Sequence, residues 1–157
     1  MDKETKTRNA IILCIVVVIL ASLIVLLYKL KSKDLEYESF LKNYKVNEYI
    51  PAYISDEAMA RIYFNDYLNI MFTEREKAFY LLDEEYRTKR FGSYEVFNTY
   101  VESLKYEANS MTKYYKTDKS GYVIFGVYDD QDNLYIFKTK GVMQYSVYLD
   151  DYTVEIG

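Results

Sequence analysis

The run Tyr122-Val123-Ile124-Phe125-Gly126-Val127-Tyr128 decides how the second half of the chain folds, with Asp118-Lys119-Ser120-Gly121 before it and Asp129-Asp130-Gln131-Asp132-Asn133 after it. A short segment rich in aromatic and β-branched side chains, bounded on both sides by turn formers, reads as a strand between two turns. Its neighbours fit. Met111 to Thr117 reads as the preceding strand, Leu134 to Lys140 as the following one, and Val142 to Ile156 as a fourth, bent strand. Turns this short join antiparallel neighbours, so the sequence predicts a four-stranded meander.

Upstream of about Ser110 the apolar period becomes helical. One helix is expected after Ser55, a good N-cap with Asp56 and Glu57 in the first turn, carrying Met59, Ile62, Tyr63, Tyr67, Ile70 and Met71 on one face. A second opens at Thr73-Glu74-Arg75-Glu76, a capping-box pattern, and carries Ala78, Phe79, Leu81 and Leu82. A third starts at Ser93 after Phe91-Gly92, with Val96, Phe97, Tyr100, Val101, Leu104 and Ala108. Three helices followed by a meander is an α+β order, with the helices packed on one face of a curved four-stranded antiparallel sheet.

The first third has a different character. From Ala10 to Leu27 there is no charge, no Pro and no Gly, and Ser22 is the only hydroxyl. As a helix this stretch covers roughly 27 Å, close to the hydrocarbon thickness of a bilayer. It has no polar stripe to face water. It therefore reads as a transmembrane helix. The run is longer than a signal-peptide core, and Tyr28-Lys29-Leu30-Lys31-Ser32-Lys33 lacks a small-x-small cleavage pattern, so the segment is expected to stay as a signal anchor. The expected organisation is a tail over 1–9, the span over 10–28, a stalk over 29–54 ended or kinked by Pro51, and the α+β domain over 55–157.

Lys3, Lys6 and Arg8 precede the span, and Lys29, Lys31 and Lys33 follow it. With the terminal amine added, the N side carries one more positive group, which places the N-terminus in the cytoplasm and the domain outside the cell membrane. Cys14, the one cysteine, lies within the span, so no intrachain disulfide exists; it reads as a small lipid-facing residue, with acylation as the alternative. The first 33 residues hold 6 basic and 2 acidic groups, which leaves 14 basic against 22 acidic from Asp34 onward. An acidic domain argues against nucleic-acid binding.

Catalytic chemistry has few carriers. His is absent, which removes His-based triads, general bases and metal ligands. Gly92, Gly121, Gly126, Gly141 and Gly157 are isolated, so there is no phosphate-binding glycine loop. Asp129, Asp130 and Asp132 lack the glycine and terminal glutamate of a calcium loop and read as a hairpin turn. Asp66 with a nearby Tyr is a conceivable acid–base pair, although a hydrogen-bonded or solvated structural carboxylate is the simpler reading. Glu84-Glu85 with Arg87, Lys89 and Arg90 reads as a salt-bridged helix end, with a charged docking patch as its functional alternative. No catalytic, cofactor-binding or metal-binding residue is therefore assigned. Tyr114, Tyr115, Tyr122, Tyr128, Tyr135, Tyr145, Tyr148 and Tyr152 fall in the sheet region, where they serve as core or as a partner-binding face.

The region from Ser55 to Ile156 resembles the cone-shaped fold of the nuclear transport factor 2-like superfamily. The resemblance rests on the helix-then-meander order, on Leu81-Leu82-Asp83-Glu84-Glu85-Tyr86-Arg87 with Lys89-Arg90-Phe91-Gly92-Ser93, and on Val142-Met143-Gln144-Tyr145 and Leu149-Asp150. These runs resemble membrane-anchored proteins of low-GC bacteria. In layout the chain is also similar to the bitopic assembly components of conjugation and type IV secretion systems, some of which carry a second cone domain. The resemblance implies a non-enzymatic, single-pass interaction or assembly protein with protein partners or self-association. The alternative it implies is a module that binds a small ligand in the cone pocket. An enzyme using carboxylate–Tyr chemistry is the third reading.

Overall fold

The computed structural model describes residues 3–46, 48–104 and 110–150. The chain divides into two compact units between Lys42 and Asn43. The first is made of one helix, α1 (Lys3–Asn43). Every large apolar side chain from Ile11 to Leu27 is exposed, the least so being Val16 at 46%. Ser22 Oγ donates to the Val18 carbonyl at 2.9 Å, which satisfies the one hydroxyl of the apolar stretch within the helix itself. Among the described residues this is the one helix long and apolar enough to cross a membrane.

The helix continues through much of the expected stalk and stops at Asn43, well before Pro51. Proline therefore does not end it. The chain leaves the helix because the next residues are held by the domain: Val46 is 3% exposed, and its N–H donates to the Met143 carbonyl at 3.0 Å. Buried backbone must find a partner, and here the partner is distant in sequence.

The second unit contains α2 (Asp56–Thr73), α3 (Arg75–Leu81), α4 (Glu84–Arg90) and α5 (Tyr94–Ser103), then β1 (Lys113–Lys119), β2 (Tyr122–Tyr128), β3 (Leu134–Thr139) and β4 (Tyr145–Leu149). α2 begins as its sequence dictates, with Ser55 Oγ accepting from the Ala58 N–H at 3.2 Å. It buries Tyr63, Phe64, Tyr67, Ile70 and Met71.

Four helices follow α1, where three were expected. Thr73 does not cap anything; it stays in α2, and its hydroxyl donates back to the Asn69 carbonyl at 2.7 Å. Glu74 becomes the junction between α2 and α3, with no side-chain cap. A further break falls at Leu82. Its backbone is extended and forms a single parallel bridge with Val147 of β4. Asp83 then caps a new helix, its Oδ1 accepting from Glu85 N at 3.2 Å and Tyr86 N at 3.3 Å. A bond to the sheet interrupts a segment that local propensity would have kept continuous. α5 starts after Ser93 as expected and buries Phe97 and Val101, but Val96 faces out at 52% exposure. Ala108 lies outside the described residues.

The sheet is a meander in the order β1-β2-β3-β4, antiparallel throughout. β2 spans the expected residues. β1 runs two residues later than expected, which leaves a two-residue turn, Ser120-Gly121, with Gly121 at φ 90°. Gly is the residue that adopts this conformation without strain. β4 occupies the front of the expected fourth strand, and residues 151–156 of that expectation lie outside the described ones.

The register puts Phe125 opposite Phe137, which stands opposite Val147, and lines up Val127, Tyr135 and Leu149 likewise. The helices pack on this face. Tyr63 lies 5.7 Å from Phe125, 6.1 Å from Phe137 and 5.3 Å from Tyr145 between ring centroids, and Phe64 lies 5.2 Å from Tyr135. The Tyr63–Phe125 and Phe64–Tyr135 pairs are edge-to-face, an arrangement that adds about 0.5–1.5 kcal/mol each beyond the area buried. On the opposite face Gly126 admits the Tyr115 ring across its Cα; a side chain there would collide with the ring. Ser146 is 4% exposed on that face, and its hydroxyl has no hydrogen-bond partner among the described residues. Replacing it with Ala removes an unsatisfied group, so Ser146→Ala is expected to leave stability unchanged or raise it by about 1 kcal/mol in urea unfolding. A loss of comparable size would show that the hydroxyl has a partner.

Candidate functional site

A groove of about 370 Å³ opens between the N-terminal half of α2 and the end of the sheet where β1 turns into β2. This is within the size range of small-ligand pockets, at its lower end. Ile54, Met59, Tyr63, Val123, Phe125 and Val142 give it apolar walls, and Asp56 and Lys116 bring charge to it. Two wall hydroxyls are already committed. Tyr63 donates to the Val142 carbonyl at 2.8 Å. Thr139 Oγ1 accepts from Val123 N and donates to Val123 O, each at 3.0 Å, and so extends the β2–β3 pairing with a side chain. Lys116 bridges α2 and β1, its ammonium lying 3.2 Å from Asp56 and 3.5 Å from Asp118. These carboxylates raise its pKa, the hydrogen bond to Asp56 most of all.

The structure takes Asp66 elsewhere. It is 9% exposed, does not line the groove, and its Oδ2 accepts from Tyr145 OH at 2.7 Å and from Tyr44 OH. The two phenol oxygens lie 3.3 Å apart. Of the two readings its sequence allowed, this geometry matches a hydrogen-bonded carboxylate with tyrosine partners. The Tyr44 partner was invisible in the sequence, because nothing local marks a residue just past a helix end as a ligand of α2.

The other sequence candidates are brought into the architecture rather than into the groove. Asp129 is 1% exposed and turns inward: Oδ1 accepts from Gln131 N at 2.9 Å and Asn133 N at 2.8 Å, and Oδ2 from Asn133 Nδ2 at 2.8 Å. Asp130 and Asp132 point outward on the same turn. Among the described residues no group of three or more acidic, His or Cys side chains is arranged to hold a metal.

Glu84 and Glu85 sit in the first turn of α4, and Arg87, Lys89 and Arg90 in its last, matching the helix dipole at both ends. Arg87 stacks within 5.3 Å of the Phe79 ring centroid and 4.8 Å of that of Tyr80. Arg90 pairs with Asp150 at 3.0 Å. Lys89 pairs with Glu85 within the helix at 2.5 Å, so all three cations are engaged within the fold. Cys14 lies exposed on α1.

Tyr135, Tyr145 and Tyr148 are core residues at 1%, 4% and 3% exposure, which removes them from any contact surface. Tyr122 and Tyr128 are half-buried, Tyr114 and Tyr115 are exposed, and Tyr152 lies outside the described residues.

Burial has one electrostatic consequence. It pushes the phenols of Tyr63 and Tyr100 up to about 12, and it raises Tyr44, Tyr67, Tyr86, Tyr145 and Tyr148 as well. A free Tyr titrates near 10. Below about pH 10 both folded and unfolded phenols are protonated, and this contribution to stability is fully present. Above it the unfolded chain releases protons first, so stability falls as pH rises through the folded values. Tyrosinate absorbance of the buried set is expected to appear together with loss of the far-ultraviolet signal. Full ionisation with the fold intact would show that these phenols are not held in the core.

Comparison with known proteins finds no matching family model, no similar curated protein and no similar solved structure.

Proposed function

We propose that the chain is a single-pass membrane-anchored, non-enzymatic binding module whose α+β domain takes a small, largely apolar ligand in the groove beside α2. The observation that supports this reading is the groove itself, an opening of about 370 Å³ between α2 and the sheet, which Tyr63, Phe64 and Tyr67 otherwise pack together. Ligand sites are concave and mostly apolar, with few polar groups to orient the ligand. In this reading α1 holds the domain at a membrane, with the N-terminus cytoplasmic and the domain outside. Extraction of the full chain, purified with its native membrane, is expected to release one small apolar compound in near-equal amount to protein. Met59→Trp, which fills the groove, is expected to lose the compound and keep the melting transition. Equal recovery from both chains, or none from the parent, would sink the proposal.

A second reading, an interaction or assembly part as in secretion machinery, is favoured by the outer edge of β1. No strand pairs with that edge among the described residues, and Tyr114 and Tyr115 are 39% and 40% exposed there. An unpaired edge is a template for strand addition. Photo-crosslinking from position 114 in intact cells, with links to another membrane protein, is the outcome this reading requires.

A further inference from the structure

The two edges of the sheet differ. At the β4 edge, Asp83 N–H and Tyr86 OH take up the outward backbone groups of Val147 and Leu149. At the other edge the outward groups follow from the register. Val123 N–H and C=O face β3, where both meet Thr139 Oγ1. Antiparallel residues alternate, so Tyr122, Ile124, Gly126 and Tyr128 turn theirs to β1, and Tyr128 O does accept on that side, from Thr112 N at 2.9 Å. Their partners Lys119, Thr117, Tyr115 and Lys113 therefore bond inward. Tyr114, Lys116 and Asp118 are left with N–H and C=O pointing out of the sheet, and no backbone partner meets them among the described residues.

We propose that this edge pairs with the same edge of a second copy, antiparallel about a two-fold axis, with Thr117 of each chain facing Thr117 of the other. The proposal rests on the second reading, that β1 is an association edge, and names its occupant. Lysines on an edge strand oppose indiscriminate pairing, and here they choose the register. Outward backbone groups meet only where Tyr114, Lys116 and Asp118 stand opposite one another, so a symmetric pair that keeps most of β1 is centred at 115, 116 or 117. Centred at Lys116, the strands set Lys116 against Lys116 and Lys113 against Lys119 at both ends, and like charges directly opposite destabilise. Centred at Tyr115, they set Lys116 against Tyr114 and Lys113 against Thr117, which answers no charge. Centred at Thr117, Lys116 of each copy faces Asp118 of the other, Thr faces Thr, and Lys119 faces Tyr115, whose ring is folded away over Gly126. Opposite charges and Thr–Thr pairs are favourable cross-strand partners. Lys116 and Asp118 both stand on the helix face, opposite Phe125 and Val123, and the Asp118 side chain is 71% exposed there. Their backbones exchange N–H···O bonds in both directions, and the result is a closed, isologous dimer with one continuous sheet.

The test uses the full chain in lipid vesicles, with Cys14→Ser as background so that any disulfide comes from an introduced thiol. Tyr115→Cys, Lys116→Cys and Thr117→Cys are each exposed to a mild oxidant. Directly opposite residues of a non-hydrogen-bonded antiparallel pair have Cα atoms about 4.5 Å apart, within disulfide reach. Thr117→Cys is therefore expected to form the covalent dimer about ten-fold faster than either neighbour. Faster linking of Tyr115→Cys or Lys116→Cys overturns the register. Charge is read separately, by energy transfer between labelled chains. Asp118→Lys alone and Lys116→Asp alone each set like charges opposite one another at two symmetric positions, and each is expected to weaken association about ten-fold. Mixed in equal amounts the two variants are expected to restore it, because each then faces its complement. Association that neither variant weakens, or that mixing does not restore, overturns the proposal. If no self-association forms while photo-crosslinking from position 114 reaches another membrane protein, the second reading stands and the second copy falls. If neither forms, both fall.

Discussion

Tyr86→Phe is expected to destabilise the domain by about 2–4 kcal/mol, although it removes one oxygen atom and leaves the ring in place. Tyr86 is fully buried, and its hydroxyl performs two tasks at the free side of β4. It donates to the Leu149 carbonyl at 2.5 Å and accepts from the Leu149 N–H at 3.0 Å. Next along the same edge, the Asp83 N–H donates to the Val147 carbonyl at 3.0 Å. The α3–α4 junction and the first turn of α4 thus stand in for a fifth strand, closing an edge that would otherwise present unpaired backbone. Removing the hydroxyl strands a buried N–H and a buried carbonyl together, and each such group costs about 1–3 kcal/mol. The ring contacts with Phe91 and Tyr148, at 6.1 Å and 5.4 Å between centroids, survive the change. Tyr148→Phe is the control, since its loss leaves β4 bonded as before and is expected to cost less. Urea unfolding of both variants decides the matter: a loss under about 0.5 kcal/mol for Tyr86→Phe would mean that water reaches Leu149.

The same edge explains which parts of the fold were legible in the sequence. β2 and β3 could be read because Tyr122 to Tyr128 and Leu134 to Thr139 carry their own signals, a β-rich segment with turn formers on either side. α2 could be read because Ser55 caps it locally. The break between α3 and α4 could not be read, since its cause is a bond from Leu82 to Val147, far along the chain. Thr73 misled for a local reason: Thr-x-x-Glu is compatible with a cap, but the Thr73 hydroxyl bonds back to the Asn69 carbonyl and the residue stays in α2. The groove was the least legible feature of all. Its walls come from the segment before α2, from α2 itself, from the β1–β2 hairpin and from the residues after β3, and no local pattern marks residues whose only shared property is the space between them.

Asp66→Ala carries the other large expected effect, about 2–4 kcal/mol, with a consequence confined to one place in the chain. The carboxylate is the shared acceptor of Tyr145 and Tyr44, so its removal leaves two phenol hydroxyls, one of them deeply buried, without their charged partner. Hydrogen bonds to a charged group contribute about 1.5–3 kcal/mol, and without the carboxylate the two phenols fall back on their long contact with each other at 3.3 Å. Asp66→Asn keeps a carbonyl acceptor in the same position and is expected to lose only about 1 kcal/mol. The pairing is testable as a cycle. Tyr145→Phe is expected to be costly in the parent chain and nearly silent in the Asp66→Ala background, because its hydroxyl has then already lost the acceptor it serves. The location matters because Tyr44 begins the stretch that leaves α1 for the domain, secured also by Gln144 Nε2 on the Tyr44 carbonyl at 3.1 Å and by Val46 N on Met143. With Asp66 gone, amide exchange is expected to rise first at Tyr44 to Val46 and at Met143 to Tyr145, while β2 and β3 keep their protection. Uniform loss of protection across the sheet, or equal cost of Tyr145→Phe in both backgrounds, would mean that the carboxylate holds no joint of its own and the three side chains act independently.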